Sequence, residues 1–303
     1  MATPQPGIFL EGNTAHRVHE YKISPSAEPP AIHAAVTNLG ATITEQASGD
    51  AVQIVLGFGA DLAEQLNLDT PTDFRSFESI GEGARTAPST QHDLFVWFHG
   101  QGLDDIFDAA LAARRAISGV AELASDTSAF VYHDSRDLTG FIDGTENPSA
   151  DEGRDIAVVG EGLPGRGGSI LLAQRWVHDL DAFHALSMAA QERVIGRTKS
   201  DSVELSEKEL PDDAHISRVV MEDDRGDEIE IYRRSVPFAE NTEAGLMFLG
   251  FSNELQKIDG MLHEMFGGAD GTHDRLTDFS RAHSSSYYFV PCCETLHALG
   301  SGA

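Results

Sequence analysis

Residues 140–148 read GFIDGTENP and stand between two halves of the chain. Two glycines bracket Asp143 in this stretch, and an Asn-Pro pair ends it. Glycine lets a backbone take a positive φ or approach a ligand closely. An acid held on such a turn is therefore a candidate for proton transfer, although an ordinary Asp-Gly turn between two domains has the same pattern. The segment lies in a Gly-, Asp- and Pro-rich join over 134–165, and the chain on each side of it repeats one pattern.

The half before the join has the predicted element order βαββαβ. Alternating or continuous apolar runs predict its strands, and apolar residues at three- and four-residue spacing predict its helices. The predicted strands are 15–23, 51–59, 93–99 and 126–133, and the predicted helices are 30–46, 60–66 and 104–118.

The half after the join repeats this order. Its predicted strands are 168–177, 215–221, 228–236, 243–251 and 284–291, and its predicted helices are 180–195 and 253–266. The repeat predicts an α+β protein of two ferredoxin-like domains with antiparallel sheets, in a dimeric α/β-barrel-like arrangement. We expect an N-terminal domain over 1–134 and a C-terminal domain over 135–303, which includes the 140–148 segment.

Composition excludes several classes of function. The 303 residues are 41% hydrophobic, which is typical of a globular protein. The 21 basic and 49 acidic residues give a net charge of −28, which argues against nucleic acid and against an anionic membrane surface. Two adjacent cysteines, Cys292 and Cys293, are too few for a disulfide scaffold or a four-cysteine zinc site. No signal peptide or membrane span is apparent, so we expect a cytoplasmic protein.

Three groups of residues in the second half are candidates for a functional site. His215 begins a predicted strand, although a lone histidine is more often a surface or core residue than a ligand. Arg233 and Arg234 alternate on a strand, so one can face inward while the other is solvated; a buried arginine needs an anionic partner or a ligand-lined site. Leu246 and Phe248 share one face of a strand that is apolar on both faces, which suits either the core or the wall of a flat apolar cofactor pocket.

Together these pieces resemble the dye-decolourising peroxidases, a haem peroxidase family. Residues 140–144 match the family's GxxDG motif, and 145–148 match its TENP extension. The family also has a histidine followed some 18 residues later by an arginine that leads into a Pro-aromatic pair, as His215 and Arg233 do here. Further matches are 195–199 and 289–291, and the resemblance runs from about residue 5 to residue 295. The short N-terminus resembles the compact bacterial, B-type members.

The resemblance implies non-covalently bound haem b and a role for each matched residue. His215 would be the proximal ligand of the iron, and Asp143 and Arg233 would lie on the distal side. Arg197 would pair with a haem propionate. The remaining implied cofactor-binding residues are Thr145, Glu146 and Asn147 at the haem edge, and Leu246 and Phe248 over the distal face.

The chemistry of peroxide gives these residues a reason. Peroxide loses a proton from the oxygen that binds iron and gains one on the oxygen that leaves, so a carboxylate such as Asp143 can shuttle that proton. Arg233 stays cationic and can stabilise the negative charge that develops as the O–O bond breaks; we rank it slightly above Asp143. A carboxylate bonded to the far nitrogen of His215 would make the ligand more basic, and either Asp274 or Asp278 could supply it.

The predicted function is a haem b peroxidase that reduces H2O2 and oxidises small aromatic or dye-like donors. One alternative is a haem-handling protein, either a carrier or an iron-releasing enzyme, with incidental peroxidase activity. Another is a haem-free hydrolase with Asp143 as base, which leaves His215 and Arg233 unexplained. The resemblance also implies a homo-oligomer. Some B-type members carry a tail that docks into an encapsulin shell, but LHALG at 296–300 is a poor match, so we expect no docking.

Overall fold

The computed structural model describes residues 2–48, 51–223 and 225–301. In chain order, the strands are β1 (Ala15–Ile23), β2 (Val52–Phe58), β3 (Ile80–Glu82), β4 (Arg85–Ala87), β5 (Leu94–Gly100), β6 (Ala121–Phe130), β7 (Ser169–His178), β8 (Tyr232–Arg233), β9 (Val236–Glu240), β10 (Glu243–Ser252) and β11 (Ser280–Val290). The helices are α1 (Pro29–Ala47), α2 (Ala60–Gln65), α3 (Leu103–Ile117), α4 (Ala150–Ala157), α5 (Leu180–His184), α6 (Met188–Ile195), α7 (His215–Val219), α8 (Leu255–Met265) and α9 (Cys293–Ser301). Two short 3-10 helices cover Pro6–Ile8 and Arg275–Asp278.

One antiparallel sheet closes on itself. Its strand order is β7-β11-β2-β5-β1-β6-β9-β10, and β10 pairs back with β7 to complete an eight-stranded barrel. The short strand β8 adds to β10, and β3 and β4 form a separate hairpin. Closure leaves these eight strands without a free edge. The structure is thus a mixed α/β fold around a closed, barrel-like antiparallel sheet. This agrees with the predicted combination of helices and antiparallel sheet.

The alternation of β10 shows how the barrel separates two apolar regions. Met247, Leu249 and Phe251 belong to a fully buried cluster with Trp97 and Tyr288, residues that come from both halves of the chain. Leu246 and Phe248 point the other way and pack with residues of α8. Successive side chains of a strand point to opposite faces, so the first set fills the barrel and the second lies outside it. The inward face of β10 is therefore core, whereas Leu246 and Phe248 on its outward face are only partly buried.

Helices cover the outside of the sheet. The inward positions of α1 and α3 follow helical spacing and pack on the β2, β5 and β6 strands of the first half. The residues buried by α1 are Ile32, Val36, Leu39 and Ile43. Helix α8 buries Leu255, Ile258 and Leu262 in the same way against the second half. These helices confirm the periodicity that predicted them.

Three predicted elements of the second half are wrong. The helix predicted over 180–195 is two helices, α5 and α6, and the Ser187 hydroxyl caps the second of them. The strand predicted over 215–221 is the five-residue helix α7, whose two β-branched residues, Ile216 and Val219, are of a type that is enriched in strands. The strand predicted over 228–236 is only Tyr232–Arg233, with β9 following separately. Apolar runs this short fit either period, and tertiary packing decides between them.

Among the described residues, none of the helices combines the length and the apolar character that crossing a membrane requires.

Candidate active site

A single cavity outside the barrel brings most of the predicted site residues together. Its walls come from the outward faces of β7 and β10, from α7 and α8, and from the 137–146 segment. Eight of the nine predicted residues line it: Asp143, Thr145, Glu146, Arg197, His215, Arg233, Leu246 and Phe248. The ninth, Asn147, lies behind Arg233 and is described below.

His215 is held by a buried carboxylate. It begins α7, and its Nδ1 lies 2.6 Å from Oδ2 of Asp274, whose side chain is fully buried. The second Asp274 oxygen accepts the backbone N–H of Leu276 at 2.8 Å. Asp278, the other candidate partner, instead pairs with Arg85 at 2.6 Å near the surface. The partner that the sequence left open is therefore Asp274.

This contact sets the character of the imidazole. Burial alone opposes a charge on the His215 ring, but the Asp274 carboxylate outweighs burial and raises the pKa of His215. Because Nδ1 is committed to Asp274, the second nitrogen, Nε2, is the one that can take a ligand. Within the described ranges, Nε2 makes no hydrogen bond, and the side chain remains 31% exposed where it lines the cavity.

Asp143 reaches the cavity on a turn that requires glycine. Gly140 and Gly144 on either side have φ of 90° and 78°, a region that favours glycine. A Cβ at Gly140 would also lie 2.7 Å from Cε of Lys199. The Asp143 backbone N–H donates to the Ser135 carbonyl at 2.9 Å. The chain is thereby bent so that Asp143 lines the cavity.

The environment of Asp143 favours its protonated form. Burial is the main cause that raises the pKa of this carboxyl, and the Arg233 guanidinium opposes it. The carboxylate of Asp137 raises the pKa further, whereas His215 lowers it. A carboxyl in such a setting can hold a proton at a pH where an exposed aspartate cannot.

Arg233 is fixed through its backbone. Its N–H donates to Oδ1 of Asn147 at 2.8 Å, and its carbonyl accepts from Nδ2 of Asn147 at 3.0 Å. Arg233, the last residue of β8, and Arg234, which follows it, point to opposite faces, as the alternation predicts. The Arg233 side chain lines the cavity, and Arg234 lies in the barrel, 5.2 Å from the Trp97 ring. The neighbouring arginine is not solvated, because its guanidinium donates to the carbonyls of Ile8 and Leu10.

Arg197 stands among acidic side chains. Its Nη2 lies 3.0 Å from Oε1 of Glu146 and 3.5 Å from Oε2 of Glu204. Its Nη1 donates to the carbonyl of Ser202 at 2.9 Å, and the Ser202 hydroxyl meets that of Thr145 at 2.7 Å. Because both glutamates are more than half exposed, this arginine sits where the cavity meets solvent.

Sequence reasoning missed one pair of residues in the cavity wall. His178, at the end of β7, places Nε2 at 3.0 Å from Oδ1 of Asp137. The two residues are 41 positions apart and belong to no motif, so no spacing in the sequence points to them. Only the return of β7 beside the 137–146 segment brings them together.

The cavity thus combines a carboxylate-bound imidazole, a protonatable acid beside an arginine, an apolar wall of Leu246 and Phe248, and a cation at the mouth. This is the combination that the sequence leads us to expect at a haem site. Comparison with known proteins agrees. The family model described as Dyp-type peroxidase, C-terminal, matches residues 134–295, and its N-terminal counterpart matches residues 21–131. The chain belongs to the Dyp-type peroxidase family, and it is accordingly a haem peroxidase.

Individual relatives cover most of the chain. A dye-decolorizing peroxidase of Mycolicibacterium paratuberculosis is 35% identical over 80% of this chain and 70% of its own length. The crystal structure of a Dyp-type peroxidase protein from Shewanella oneidensis superposes with a TM-score of 0.91 at 33% identity, covering 99% of both chains. A variant of DypB from Rhodococcus jostii, solved in complex with heme, superposes with a TM-score of 0.90 at 30% identity, covering 98% of this chain and 99% of its own. Haem is therefore the cofactor of the family.

Proposed function

We propose that His215 is the haem ligand of this peroxidase and that Asp143 and Arg233 act on peroxide. The observation that carries the proposal is the presence, in one cavity, of an acid–arginine pair and of an imidazole whose Nε2 makes no hydrogen bond to any described residue.

The cavity suits non-covalently bound haem b. Nε2 of His215 would ligate the iron, with Nδ1 held by Asp274. Leu246 and Phe248 would pack on the flat ring, and Arg197 would meet a propionate in competition with its present glutamate partners. We propose that Thr145 and Glu146, which line the cavity, serve the haem edge, and that Asn147, whose amide is bonded to the backbone of Arg233, holds that arginine instead. When bound, haem supplies the iron at which the O–O bond of peroxide is reduced.

Asp143 moves the proton in this proposal. Its carboxylate accepts the proton from one oxygen of H2O2 and returns it to the other, so that water leaves rather than hydroxide. The raised pKa of Asp143 serves the first transfer, because a carboxylate of ordinary acidity is a weaker base and holds the accepted proton less firmly.

Arg233 stabilises charge. A guanidinium stays protonated throughout, so it can donate to the oxygen on which negative charge grows. Its side chain forms no hydrogen bond or ion pair with any other described residue, while Asn147 holds its backbone. The donors of Arg233 are therefore available to the substrate without a competing contact.

We also propose that the chain is built of two ferredoxin-like domains, 1–134 and 135–303, in a dimeric α/β-barrel-like arrangement. The strand orders β6-β1-β5-β2 and β11-β7-β10-β9 support this. When the four barrel strands of each half are numbered in chain order, both halves have the order 4-1-3-2. The matched family segments, 21–131 and 134–295, divide the chain near the same point.

The proposed substrates are H2O2 and small aromatic or dye-like one-electron donors, as the names of the relatives suggest. The net charge of −28 supports a protein that binds neither nucleic acid nor an anionic membrane. We propose a cytoplasmic homo-oligomer without encapsulin docking. Packing supports the last point: residues 296–299 lie in α9, whose Leu296 and Leu299 pack against the core that α1 covers.

Absorption spectroscopy tests the proposal. Haem is titrated into the purified chain, and the spectrum is recorded before and after one equivalent of H2O2. We expect stoichiometric binding, a rapid change of the haem band with peroxide, and its reversal by an aromatic donor. Ready haem exchange with slow turnover of every donor would favour the haem-handling alternative, and failure to bind haem would contradict both.

A further inference from the structure

The Asp137–His178 pair stands in the cavity wall, and no step proposed above uses it. Both side chains line the cavity together with Asp143, and both are largely buried, with 15% and 6% of the side chain exposed. The backbone brings Asp137 beside the acid. The Asp137 N–H donates to the Phe141 carbonyl at 2.9 Å, and Arg136 bridges to Ile142, the residue before Asp143.

Asp137 is fully committed as a carboxylate. One oxygen, Oδ1, lies 3.0 Å from Nε2 of His178. The other, Oδ2, accepts from the backbone N–H of Thr139 at 2.8 Å and from the Thr139 hydroxyl. These contacts, with His178 foremost, overcome the effect of burial and lower the pKa of Asp137. Asp137 therefore keeps its negative charge, and His178 is the member of the pair that can change its protonation.

Ser280 lets His178 hold either of two protonation states. Nδ1 of His178 lies 2.8 Å from the Ser280 hydroxyl, which can both donate and accept. In the neutral ring, Nε2–H donates to Asp137 and the hydroxyl donates to Nδ1. In the charged ring, Nδ1–H donates to the hydroxyl oxygen instead. The pair can thus gain or lose one proton without losing a hydrogen bond.

The charge of this pair acts on Asp143. The charged groups that face Asp143 come from three elements: Arg233 of β8, His215 of α7 and Asp137 of the same segment. Asp137 is the only one of the three that is anionic, and His178 from β7 either neutralises it or leaves it uncompensated. Protons on such interacting groups are coupled.

We infer that Asp137 and His178 form a second proton-holding pair of the active site, which sets the protonation state of Asp143. When His178 is charged, the pair is neutral and Asp143 releases its proton more readily. When His178 is neutral, the pair is anionic and Asp143 retains its proton. Asp137 and His178 are positioning residues in this sense, and the inference rests on the proposed role of Asp143.

The test measures the protonation of Asp143 directly. The infrared C=O band of the protonated carboxyl is followed against pH in the purified full chain, with and without haem. In each background, the spectrum of the same protein carrying Asp143→Asn is subtracted. Asp137→Asn removes the anion, so we expect the midpoint of the Asp143 band to fall by about one pH unit. His178→Gln removes the compensating cation, so we expect the midpoint to rise.

Ser280→Ala provides an independent variant. It removes the hydrogen bond at Nδ1 in both protonation states of His178, and the loss costs more in the charged ring because hydrogen bonds to charged groups are stronger. The pair therefore becomes anionic more easily, and the midpoint of Asp143 rises. Asp126→Asn is the matched control, because Asp126 also pairs with a histidine, His19 at 3.3 Å, but lies on β6 outside the cavity. We expect no shift in the control.

The outcomes separate the inference from the proposed function. Opposite shifts in Asp137→Asn and His178→Gln support the inference, as does a raised midpoint in Ser280→Ala if either of the first two fails to fold. Unshifted midpoints would overturn it, because a pair that only holds the 137–146 segment in place would change the stability of the protein and not the titration of Asp143. The haem-free measurement does not depend on catalysis. If the wild-type protein binds no haem, the proposed function is contradicted, but the midpoints of the Asp143 band still test the inference.

Discussion

The His215 part of the cavity wall and the Asp143–Arg233 part are built differently. His215 is bound at Nδ1 by Asp274, and Asp274 itself is fully buried and accepts a backbone N–H at its second oxygen. The side chains of Asp143 and Arg233 instead form no hydrogen bond to another side chain in the described part of the protein, and contacts of their main chains hold the two residues in place.

This difference fits two kinds of work. A metal ligand must keep one direction and one tautomer, which an outer carboxylate enforces. A proton carrier and a charge-stabilising donor must instead have their lone pairs and N–H groups available when the substrate arrives. Side-chain partners at Asp143 or Arg233 would have to be broken in every cycle. The fold therefore fixes the first group through its side chain and the second through the main chain.

The largest expected effect comes from removing the ligand. His215→Ala should lower haem affinity by more than the 10–100-fold that loss of an outer partner typically costs. Haem titration followed by absorption measures the change. His273→Ala is a suitable control, since His273 is a partly exposed histidine near the surface carboxylate Asp278. Equal haem spectra and affinities in wild type and His215→Ala would mean that another group holds the iron.

The next effect lies on the Asp143–Arg233 side. Arg233→Ala should lower the rate constant for reaction with H2O2 by about 1000-fold, and Asp143→Ala by about 100-fold, with haem still bound. Stopped-flow mixing with peroxide measures both. Arg225→Ala, which removes an arginine that is 80% exposed, serves as the control.

The pH profile separates these two residues. Asp143 accepts the peroxide proton as a carboxylate, and burial raises its pKa. The wild-type rate should therefore decline as pH falls through a midpoint above the ordinary carboxyl range, and Asp143→Ala should lose this limb while Arg233→Ala keeps it. A double variant with undiminished peroxide turnover would remove both residues from the mechanism.

A smaller effect is expected from the carboxylate behind His215. Asp274→Asn preserves shape and one hydrogen bond but removes the charge that raises the pKa of His215. We expect haem affinity or peroxide reactivity to fall 10- to 100-fold and the reduction potential of the iron to rise, because a less basic ligand stabilises the oxidised metal less. Potentiometric titration checks the potential. Asp278→Asn is the control, and an identical potential in wild type and Asp274→Asn would separate this carboxylate from the tuning of the ligand.

Sequence reasoning reached the strands and helices whose apolar periods are long. Helices α1 and α3 and strand β10 follow their predicted faces because burial repeats over three or more turns or alternations. It failed at α7, where five residues with two β-branched side chains fit either period. It also missed α4, although Ser149 and Glu152 form a capping box that the spacing S-x-x-E indicates.

The site divides along the same line. Asp143 and Arg233 belong to motifs and could be predicted to act together. The choice of Asp274 over Asp278 could not be predicted, since both carboxylates follow α8 and only the turn at Leu276 directs one of them to His215. The contact between His178 and Asp137 could not be predicted from the sequence for the same reason, because it depends on how β7 returns past the 137–146 segment.

The smallest effect tests the main-chain support itself. The resemblance implies that Asn147 serves the haem edge, whereas its amide makes two hydrogen bonds to the backbone of Arg233. Asn147→Ala leaves that N–H and carbonyl without these partners, so we expect a loss of about 1–3 kcal/mol in unfolding free energy and a several-fold slower peroxide reaction at unchanged haem affinity. Asn253→Ala, which removes the amide contacts to the Asp155 carbonyl and to Nζ of Lys257, is the control. Weaker haem binding with an unchanged rate per bound haem would assign Asn147 to the haem edge. It would also show that Arg233 does not depend on Asn147 for its function.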